Sequence, residues 1–413
     1  MTLGESMTHP LVSRARELAP VFAERARHWD VERQYCWENV ADLTASGIMG
    51  MTIPEALGGR SASFLDVVQV VEEIAKACTL TARVVVEANM GGISAVMAYG
   101  SERQKAFCAP IVLAGDKPAI CITEPEAGSA ATEMSTTARK KGDKYLLNGS
   151  KHWITGGGVS KLHLIFARVV DEEGADQGIG GFIVHADQSS GEVPAGFEVL
   201  GRENTLGLRG MPEAELRFTD LEVGADWMLV PPSGLKRGFA DLMNAYNSQR
   251  VGAGTIALGV AAGAYGHAKR YLLEREQFGR PLAEFQGLQW MIADMDTQIH
   301  AARLLLQEAA RSRGPNSSPF PDMIMAARAK LFASEMAIKV VSDALQIFGA
   351  RGYGDKEPLE RMYRDVRMFT IGGGTAQILR TQVAGAVLGI KTPQTREGYL
   401  KAAEKSARRT SED

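Results

Sequence analysis

The spacing of the apolar residues changes twice along this chain, and the two changes limit the folds that its 413 residues can adopt. From about residue 8 to 115, apolar residues recur every three or four positions, as in Phe64–Ala75, which is the period of a helix with one buried face. From about 116 to 228 the apolar runs are short and alternate with polar residues, which is typical of strands. Long helical periods then return, and they predict helices at residues 236–273, 285–312, 321–348 and about 375–389.

This order predicts an α+β protein with three domains and a tail. We expect an N-terminal α-helical domain at residues 1–115, a middle β domain at 116–230 and a C-terminal helical bundle at 231–391. Residues 392–413 are polar, and we expect this C-terminal tail to be loosely held. Because 45% of the residues are hydrophobic, the chain can bury a large core.

Composition excludes several classes of function. A formal net charge of -3 gives no sign of a nucleic-acid-binding surface, and no apolar stretch approaches the roughly 18 residues of a membrane span. The first thirty residues mix acids and bases, so we predict no secretory signal. The four cysteines and seven histidines show no metal-ligand spacing, which predicts free thiols, no metal site and a cytoplasmic location.

Three sequence motifs narrow the prediction from a fold class to a protein family. The first joins CITEPEAGS at residues 121–129 to NGSKHWITGG at 148–157. The second is EREQFGRPLAEFQGLQ at 274–289, and the third joins QIFGARGYG at 346–354 to RDVRMFTIGGGTAQILR at 364–380. Together, in this order and across nearly the whole chain, they resemble the acyl-CoA dehydrogenase family.

The resemblance implies that family's fold, in which the middle domain is β-barrel-like and the C-terminal domain is a four-helix bundle. It also implies noncovalent FAD, with sites shared between the subunits of a homotetramer. A flavin ring needs an aromatic wall and hydrogen-bond donors where reduction places charge, and the family positions give these roles to Trp153 and Thr155, with Thr123 near the pyrimidine end and Ser129 near the pyrophosphate. The positions implied to bind the cofactor are Cys121, Ile122, Thr123, Ser129, Trp153, Ile154, Thr155, Arg275, Phe278, Gln286, Gln346, Gly349, Gly374, Thr375 and Gln377.

Both positions that hold the catalytic base in this family lack a base here. Dehydrogenation of an acyl-CoA needs a carboxylate that removes the α-proton while a β-hydride passes to the flavin. The family's Glu usually lies immediately before the Gly-Thr of the third motif, where this chain has Gly373. In some branches it lies immediately before Arg250 of NAYNSQRVGAG, where this chain has Gln249, and an amide cannot take the α-proton.

Three interpretations remain open on this evidence. The base has moved, with Glu87 as a candidate, although a surface or paired carboxylate is the commoner role for such a residue. Alternatively, the protein has lost catalysis and is an acyl-CoA-binding flavoprotein. The third interpretation is a reaction that does not begin with proton removal.

A closer resemblance favours the third interpretation. Segments such as WITGGGVSKLHLIFARV and LKRGFADLMNAYNSQRVGAG are similar to a branch of the family that converts 3-sulfinopropionyl-CoA and water to propionyl-CoA and sulfite. The sulfinate at the acyl tip is an anion that needs a cation when buried. The branch's substrate-gripping arginine corresponds to Arg83, which we pair with Gln249 as catalytic, and the implied substrate contacts are Arg83, Ser129, Asn247 and Arg250.

Overall fold

The computed structural model describes residues 9–312, 314, 318–390, 392, 398 and 400, so most of the predicted tail lies outside the described residues. The chain divides into two compact units. Unit 1 is drawn from Met1–Pro118, Asn204–Pro212 and Asn244–Ala376, and unit 2 from Ala119–Glu203, Glu213–Met243 and Gln377–Asp413.

The N-terminal part of unit 1 is helical, as the apolar period predicts. Its start signals are local: Ser63 and Ser101 each form a capping box with the side chain three residues later, which satisfies the free N–H groups of the first helical turn. The helices are α1 (Pro10–Glu32), α2 (Trp37–Ser46), α3 (Phe64–Ala75), α4 (Thr79–Met90), α5 (Gly92–Tyr99) and α6 (Glu102–Leu113).

Unit 2 contains the sheet that the alternating segment predicts. Its strands are β1 (Ala119–Cys121), β2 (Thr137–Lys141), β3 (Lys144–Thr155), β4 (Leu162–Val170), β5 (Asp176–His185), β6 (Phe197–Arg202), β7 (Glu213–Gly224) and β8 (Met228–Leu229). The strand order is β6-β7-β3-β2-β4-β5-β8, and β1 joins by pairing with β4 in parallel. One face buries an apolar core that includes Phe182, Leu216 and Phe218.

Long helices follow the sheet in sequence, close to the predicted positions. They are α7 (Leu235–Glu274), α8 (Gln286–Arg311), α9 (Met323–Phe348), α10 (Ala350–Tyr353), α11 (Leu359–Val366) and α12 (Ala376–Leu388), with a short hairpin of β9 (Glu276–Gln277) and β10 (Arg280–Pro281) between α7 and α8. Asp322 caps α9 by accepting hydrogen bonds from two backbone N–H groups of its first turn. The helix–sheet–helix order is therefore confirmed.

The described part of the chain has no membrane-spanning helix, no metal-binding cluster and no disulfide among its four cysteines. None of the helices described there has the length and apolarity needed to cross a membrane. Across the same residues, no cluster of three or more His, Cys, Asp or Glu side chains is suited to a metal ion. Cys36, Cys78, Cys108 and Cys121 are all buried, and none of them forms a disulfide.

Candidate active site

Three buried cationic side chains of unit 1 form what we call the cationic cluster: Arg83 of α4, Arg250 of α7 and Lys330 of α9. Charged residues are almost never fully buried without a counter-charge, because the charged form loses its hydration. A buried group of three cations is therefore a candidate binding site for an anionic ligand.

Arg83 belongs to a buried line of alternating charges. Its Nε lies 2.8 Å from Oε1 of Glu87, one turn further along α4, and Oε2 of Glu87 lies 2.5 Å from Nζ of Lys117. All three side chains are buried, so these ion pairs are only weakly screened by water. The carboxylate of Glu87 therefore joins Arg83 to Lys117 through two buried ion pairs.

Arg250 forms three interactions from its place on α7. Its Nη1 donates to Oδ1 of Asn247 at 2.8 Å, its Nε donates to the carbonyl oxygen of Gly373 at 3.3 Å, and its guanidinium lies 5.7 Å from the ring centre of Tyr246. Asn247 is itself buried, and its amide donates to the Pro321 carbonyl at 3.4 Å. Burial lowers the pKa of Arg250, but a guanidinium stays protonated at any physiological pH.

Lys330 is the most deeply buried member of the cluster, with 0% of its surface exposed. Its Nζ donates to the carbonyl oxygen of Gly374 at 2.7 Å, and the described residues provide no carboxylate within ion-pair distance of it. Burial, together with the positive charges of Arg250 and Arg83, lowers the pKa of Lys330 to about 7. Part of the Lys330 population is therefore neutral near neutral pH.

A close approach of two helices places Lys330 there. A Cβ atom on Gly254 of α7 would lie only 3.1 Å from Cα of Lys330, so a larger residue at position 254 would push α9 away from α7. Arg250 lies one turn before Gly254 on α7. The two cations therefore approach the same carbonyl-rich segment.

That segment is a turn at Gly373 and Gly374, which have φ of 75° and 91°. Such φ values are favourable for glycine and strained for other residues. The turn directs two successive carbonyl groups toward Arg250 and Lys330, and a Cβ at position 373 would lie 4.0 Å from Cε of Lys330. Two cations thus contact this turn through its backbone carbonyl groups.

Gln249 supplies a further polar group. Its side chain is 6% exposed, and its Oε1 has no hydrogen-bond partner among the described residues. An unsatisfied buried acceptor costs free energy unless a ligand or water meets it. The amide can present its oxygen or its NH₂ to a ligand, but it cannot accept the α-proton of an acyl-CoA.

The arrangement in unit 1 is suited to binding a small anion and unsuited to abstracting a proton. Glu87 is the nearby carboxylate, and each of its oxygens contacts a buried cation. Protonating Glu87 would leave Arg83 and Lys117 without their counter-charge, which is costly in a buried site.

In unit 2, a distortion of β3 turns Trp153 outward. The pairing of β3 with β7 shifts register between Lys151 and Ile154, and Trp153 has φ of 58°, a conformation rare for a bulky residue. Its ring is 52% exposed and stacks on the His152 ring at 5.1 Å. A strained residue that presents a flat aromatic face fits the wall expected for a flavin ring.

A buried ion pair joins the first motif to the distorted strand. Lys151 Nζ lies 2.8 Å from Oε1 of Glu124 and donates to the Ile122 carbonyl at 3.0 Å. Although burial by itself raises the pKa of Glu124, hydrogen bonds from Lys151 and Thr136 lower it to about 2. The backbone N–H of His152 also donates to the Thr123 carbonyl at 2.9 Å, so the Thr123 and Trp153 segments are neighbours.

The other predicted cofactor residues of unit 2 differ in their exposure. Cys121 and Ile154 are buried in the core of the sheet, so only their backbone atoms are available to a ligand, whereas Ser129 is exposed. The Thr155 hydroxyl donates to the carboxylate of Glu213 at 2.9 and 3.0 Å. Thr155 therefore contacts Glu213, which was not among the residues predicted from the sequence.

Among the predicted cofactor residues near the start of α8, Phe278 has a highly exposed aromatic ring. Phe278 and Gly279, with φ of 54° and 75°, form the two-residue turn between β9 and β10, and Phe278 is 94% exposed. Arg275 is half-buried and Gln286 is exposed. Elsewhere, Gln346, Gly349 and Gln377 are exposed and Thr375 is half-buried.

Sequence reasoning missed Lys330 and Lys117 as well as Glu213. For Lys330 a signal was present: it lies four residues after Ala326 and seven before Ala337, both buried, and so occupies the apolar face of α9. A lysine on such a face requires a reason, because long helices normally place lysine in solvent. No comparable local pattern marks Lys117.

Comparison with known families covers all three segments of the chain. The family models for the N-terminal, middle and C-terminal domains of acyl-CoA dehydrogenases match residues 11–116, 119–221 and 236–388. The three matched domains occur in the same order as the helical, strand and helical segments that the apolar periods predict.

Individual relatives cover nearly the full length. The chain is 58% identical over 394 residues to the 3-sulfinopropanoyl-CoA desulfinase of Variovorax paradoxus, covering 95% of this chain and 97% of that protein. It is also 58% identical over 399 residues to the protein of the same name from Advenella mimigardefordensis, covering 96% and 98%. The glutaryl-CoA complex of a glutaryl-coenzyme A dehydrogenase superposes with a TM-score of 0.85 at 30% identity, covering 95% of this chain and 98% of that one. These likenesses confirm the predicted fold class.

Proposed function

The chain belongs to the acyl-CoA dehydrogenase family, and from that premise we propose that it is a desulfinase containing FAD. It hydrolyses the C–S bond of 3-sulfinopropionyl-CoA to propionyl-CoA and sulfite. The sulfinate group and one water become a C–H bond and hydrogen sulfite, so atoms and charge balance. Carbon gains the electrons that sulfur loses, and no external electron acceptor is required.

One observation supports this proposal above the others: the buried cationic cluster lies where a dehydrogenase would need a free carboxylate. Lys330 and Arg250 donate to the carbonyl groups of Gly374 and Gly373, and the charge of the buried Arg83 also acts on Lys330. A sulfinate at the acyl tip supplies the anion that this cluster lacks. A saturated alkyl chain would bring no anion to Lys330, which has no carboxylate within ion-pair distance among the described residues.

Arg83 is the residue that we assign to the sulfinate. A guanidinium can bind two oxygens of one anion while drawing electron density from the sulfur. Oε1 of Glu87 lies 2.8 Å from Nε of Arg83 and pairs with its charge. We assign Gln249 to the same acyl site, and we assign the buried Asn247 and Arg250 to the thioester end of the CoA arm rather than to its phosphates.

FAD, when bound, supplies a flat ring that can accept an electron pair. We propose that Trp153 packs on this ring and that Thr155 and Thr123 hydrogen-bond to its polar edge, while Ser129 serves the pyrophosphate and the substrate. Exposed Phe278 at its hairpin tip suits a contact with the flavin of another subunit, which is part of a proposed homotetramer. Four buried cysteines without a disulfide suit the reducing cytoplasm that we propose as its location.

Two assays on the FAD-loaded protein test the proposal. We expect 3-sulfinopropionyl-CoA to release sulfite without an electron acceptor, and butyryl-CoA to leave the flavin absorbance unbleached because Gln249 and Gly373 are not bases. Rapid bleaching by butyryl-CoA would favour a dehydrogenase with a relocated base. Binding of acyl-CoA with neither reaction would favour the acyl-CoA-binding flavoprotein.

Arg83→Ala tests the assignment of the anion. Two charge-assisted hydrogen bonds of roughly 1.5 to 3 kcal/mol each would be lost, so kcat/KM for sulfite release should fall more than about a hundredfold. The affinity for propionyl-CoA, which has no sulfinate, should hardly change. Arg14→Ala is the control, because the exposed Arg14–Glu17 pair on α1 contributes little. Equal weakening of both ligands by Arg83→Ala would contradict the assignment.

A further inference from the structure

Desulfination requires a proton at the carbon that loses sulfur. The electron pair of the C–S bond stays with that β-carbon, and the thioester cannot delocalise charge placed there. A free carbanion is therefore unfavourable, and an acid that donates as the bond breaks would avoid it.

The groups already assigned to the site cannot be that acid. Arg83 and Arg250 stay protonated, because guanidinium groups do not release a proton in this pH range. Gln249 has no acidic proton, and position 373 has no side chain. Glu87 contacts Arg83 and Lys117 as a carboxylate.

Lys330 has the geometry that the acid needs. Its Cε lies 4.0 Å from the position of a Cβ on residue 373, where the family's base would begin, and its Nζ is fixed by the Gly374 carbonyl at 2.7 Å. The charged groups that face it are Arg250 from α7 and Arg83 from α4, and the glycine turn presents only carbonyl groups. Under the proposed function, the sulfinate on Arg83 brings the β-carbon into the same region.

We propose that Lys330 is the proton donor to the β-carbon of the substrate, an assignment that rests on the proposed desulfinase function. As the C–S bond breaks, its electron pair takes a proton from the Lys330 ammonium and becomes the new C–H bond. Water adds its oxygen to sulfur and gives one proton to the neutral Lys330 amine, which restores the ammonium. The products are propionyl-CoA and hydrogen sulfite.

The titration of Lys330 supports this cycle. A group that both gives and takes a proton works best when its pKa lies near the working pH. Burial and the charges of Arg250 and Arg83 lower the pKa of Lys330 to about 7, whereas an ordinary lysine would hold its proton too tightly. The ammonium is the active form, so kcat/KM should fall as pH rises above about 7.

The test compares Lys330→Met, Lys330→Arg and the control Lys339→Met, each loaded with FAD. Lys339 lies on the same helix, but it is exposed and pairs with Asp343 on the surface. We expect Lys330→Met to lower kcat for sulfite release about 100-fold to 10,000-fold, with a smaller change in KM, and Lys339→Met to behave like the unaltered protein. Lys330→Arg should not recover the rate, because arginine retains the charge and cannot pass the proton on.

The pH profile separates proton donation from a merely structural role. If Lys330 donates the proton, the decline of kcat/KM above about pH 7 disappears in the residual activity of Lys330→Met. If Lys330 only braces the Gly374 carbonyl, the decline persists in Lys330→Met, and the proposal is overturned. FAD content and thermal unfolding of each variant show whether a lost rate reflects lost folding.

The two proposals fail in different ways. If the unaltered protein releases no sulfite from 3-sulfinopropionyl-CoA, the desulfinase function fails, and the role of Lys330 fails with it. If the unaltered protein releases sulfite and Lys330→Met does so at a comparable rate, the desulfinase function stands and only the assignment of Lys330 is wrong.

Discussion

Replacing Lys330 with methionine should stabilise the folded protein at acid and neutral pH. Folding moves this side chain from water to a site with 0% exposure and lowers its pKa from 10.5 to about 7. At about 1.4 kcal/mol for each pKa unit, the charged form is disfavoured by roughly 5 kcal/mol. Methionine has a similar length and no charge, and it loses only the hydrogen bond to Gly374, worth about 1 kcal/mol. The net gain is about 4 kcal/mol.

This gain depends on pH in a defined direction. Below about pH 7 both the folded and unfolded chains protonate Lys330, so the unaltered protein carries the full cost. Between about 7 and 10.5 only the unfolded chain binds the proton, and the stability of the unaltered protein rises by roughly 1.4 kcal/mol per pH unit. The advantage of Lys330→Met should therefore shrink to about 1 kcal/mol near pH 9.

Thermal unfolding followed by circular dichroism checks both statements. With an unfolding entropy of roughly 2.1 cal/mol/K per residue, 4 kcal/mol raises the Tm of a chain of 413 residues by about 5 °C. We expect that shift near pH 6 and a shift of only about 1 °C near pH 9. Lys339→Met should show no such pH dependence. A gain that is equal at both pH values, or a loss of stability near pH 6, would refute the reasoning about burial of the charge.

Two further predictions concern the neighbours of the site. Glu87→Gln removes the carboxylate that Arg83 and Lys117 share. The free energy of unfolding should therefore fall by about 3 kcal/mol, and KM for the sulfinate substrate should rise. An unchanged free energy of unfolding in urea together with an unchanged KM would contradict the importance of these two ion pairs. Trp153→Ala should weaken FAD binding about tenfold in a titration. The stability of the apoprotein should not change, because the Trp153 ring is already half exposed. An equal loss of apoprotein stability would instead show that Trp153 is a core residue.

The sequence predicts the helices and strands of this fold well and its buried ion pairs poorly. Helical periods place α7, α8 and α9 within about two residues, because each helix buries one continuous apolar face. The pairing of Glu87 with Lys117 joins residues thirty positions apart, and no local pattern encodes it. The resemblance identified Arg83, but the deep burial of Lys330 depends on how closely α9 approaches Gly254, which only the packed structure reveals.

The left-handed turn at Gly373 also limits how this chain can evolve. A glutamate there would put a side chain on a backbone with φ of 75°, at a cost of roughly 1 to 2 kcal/mol. The Cβ of the new side chain would lie 4.0 Å from Cε of Lys330, so we expect its carboxylate to form an ion pair with Lys330 instead of acting as a base. Under the proposed function, a single substitution at position 373 would therefore not by itself create a base for dehydrogenation.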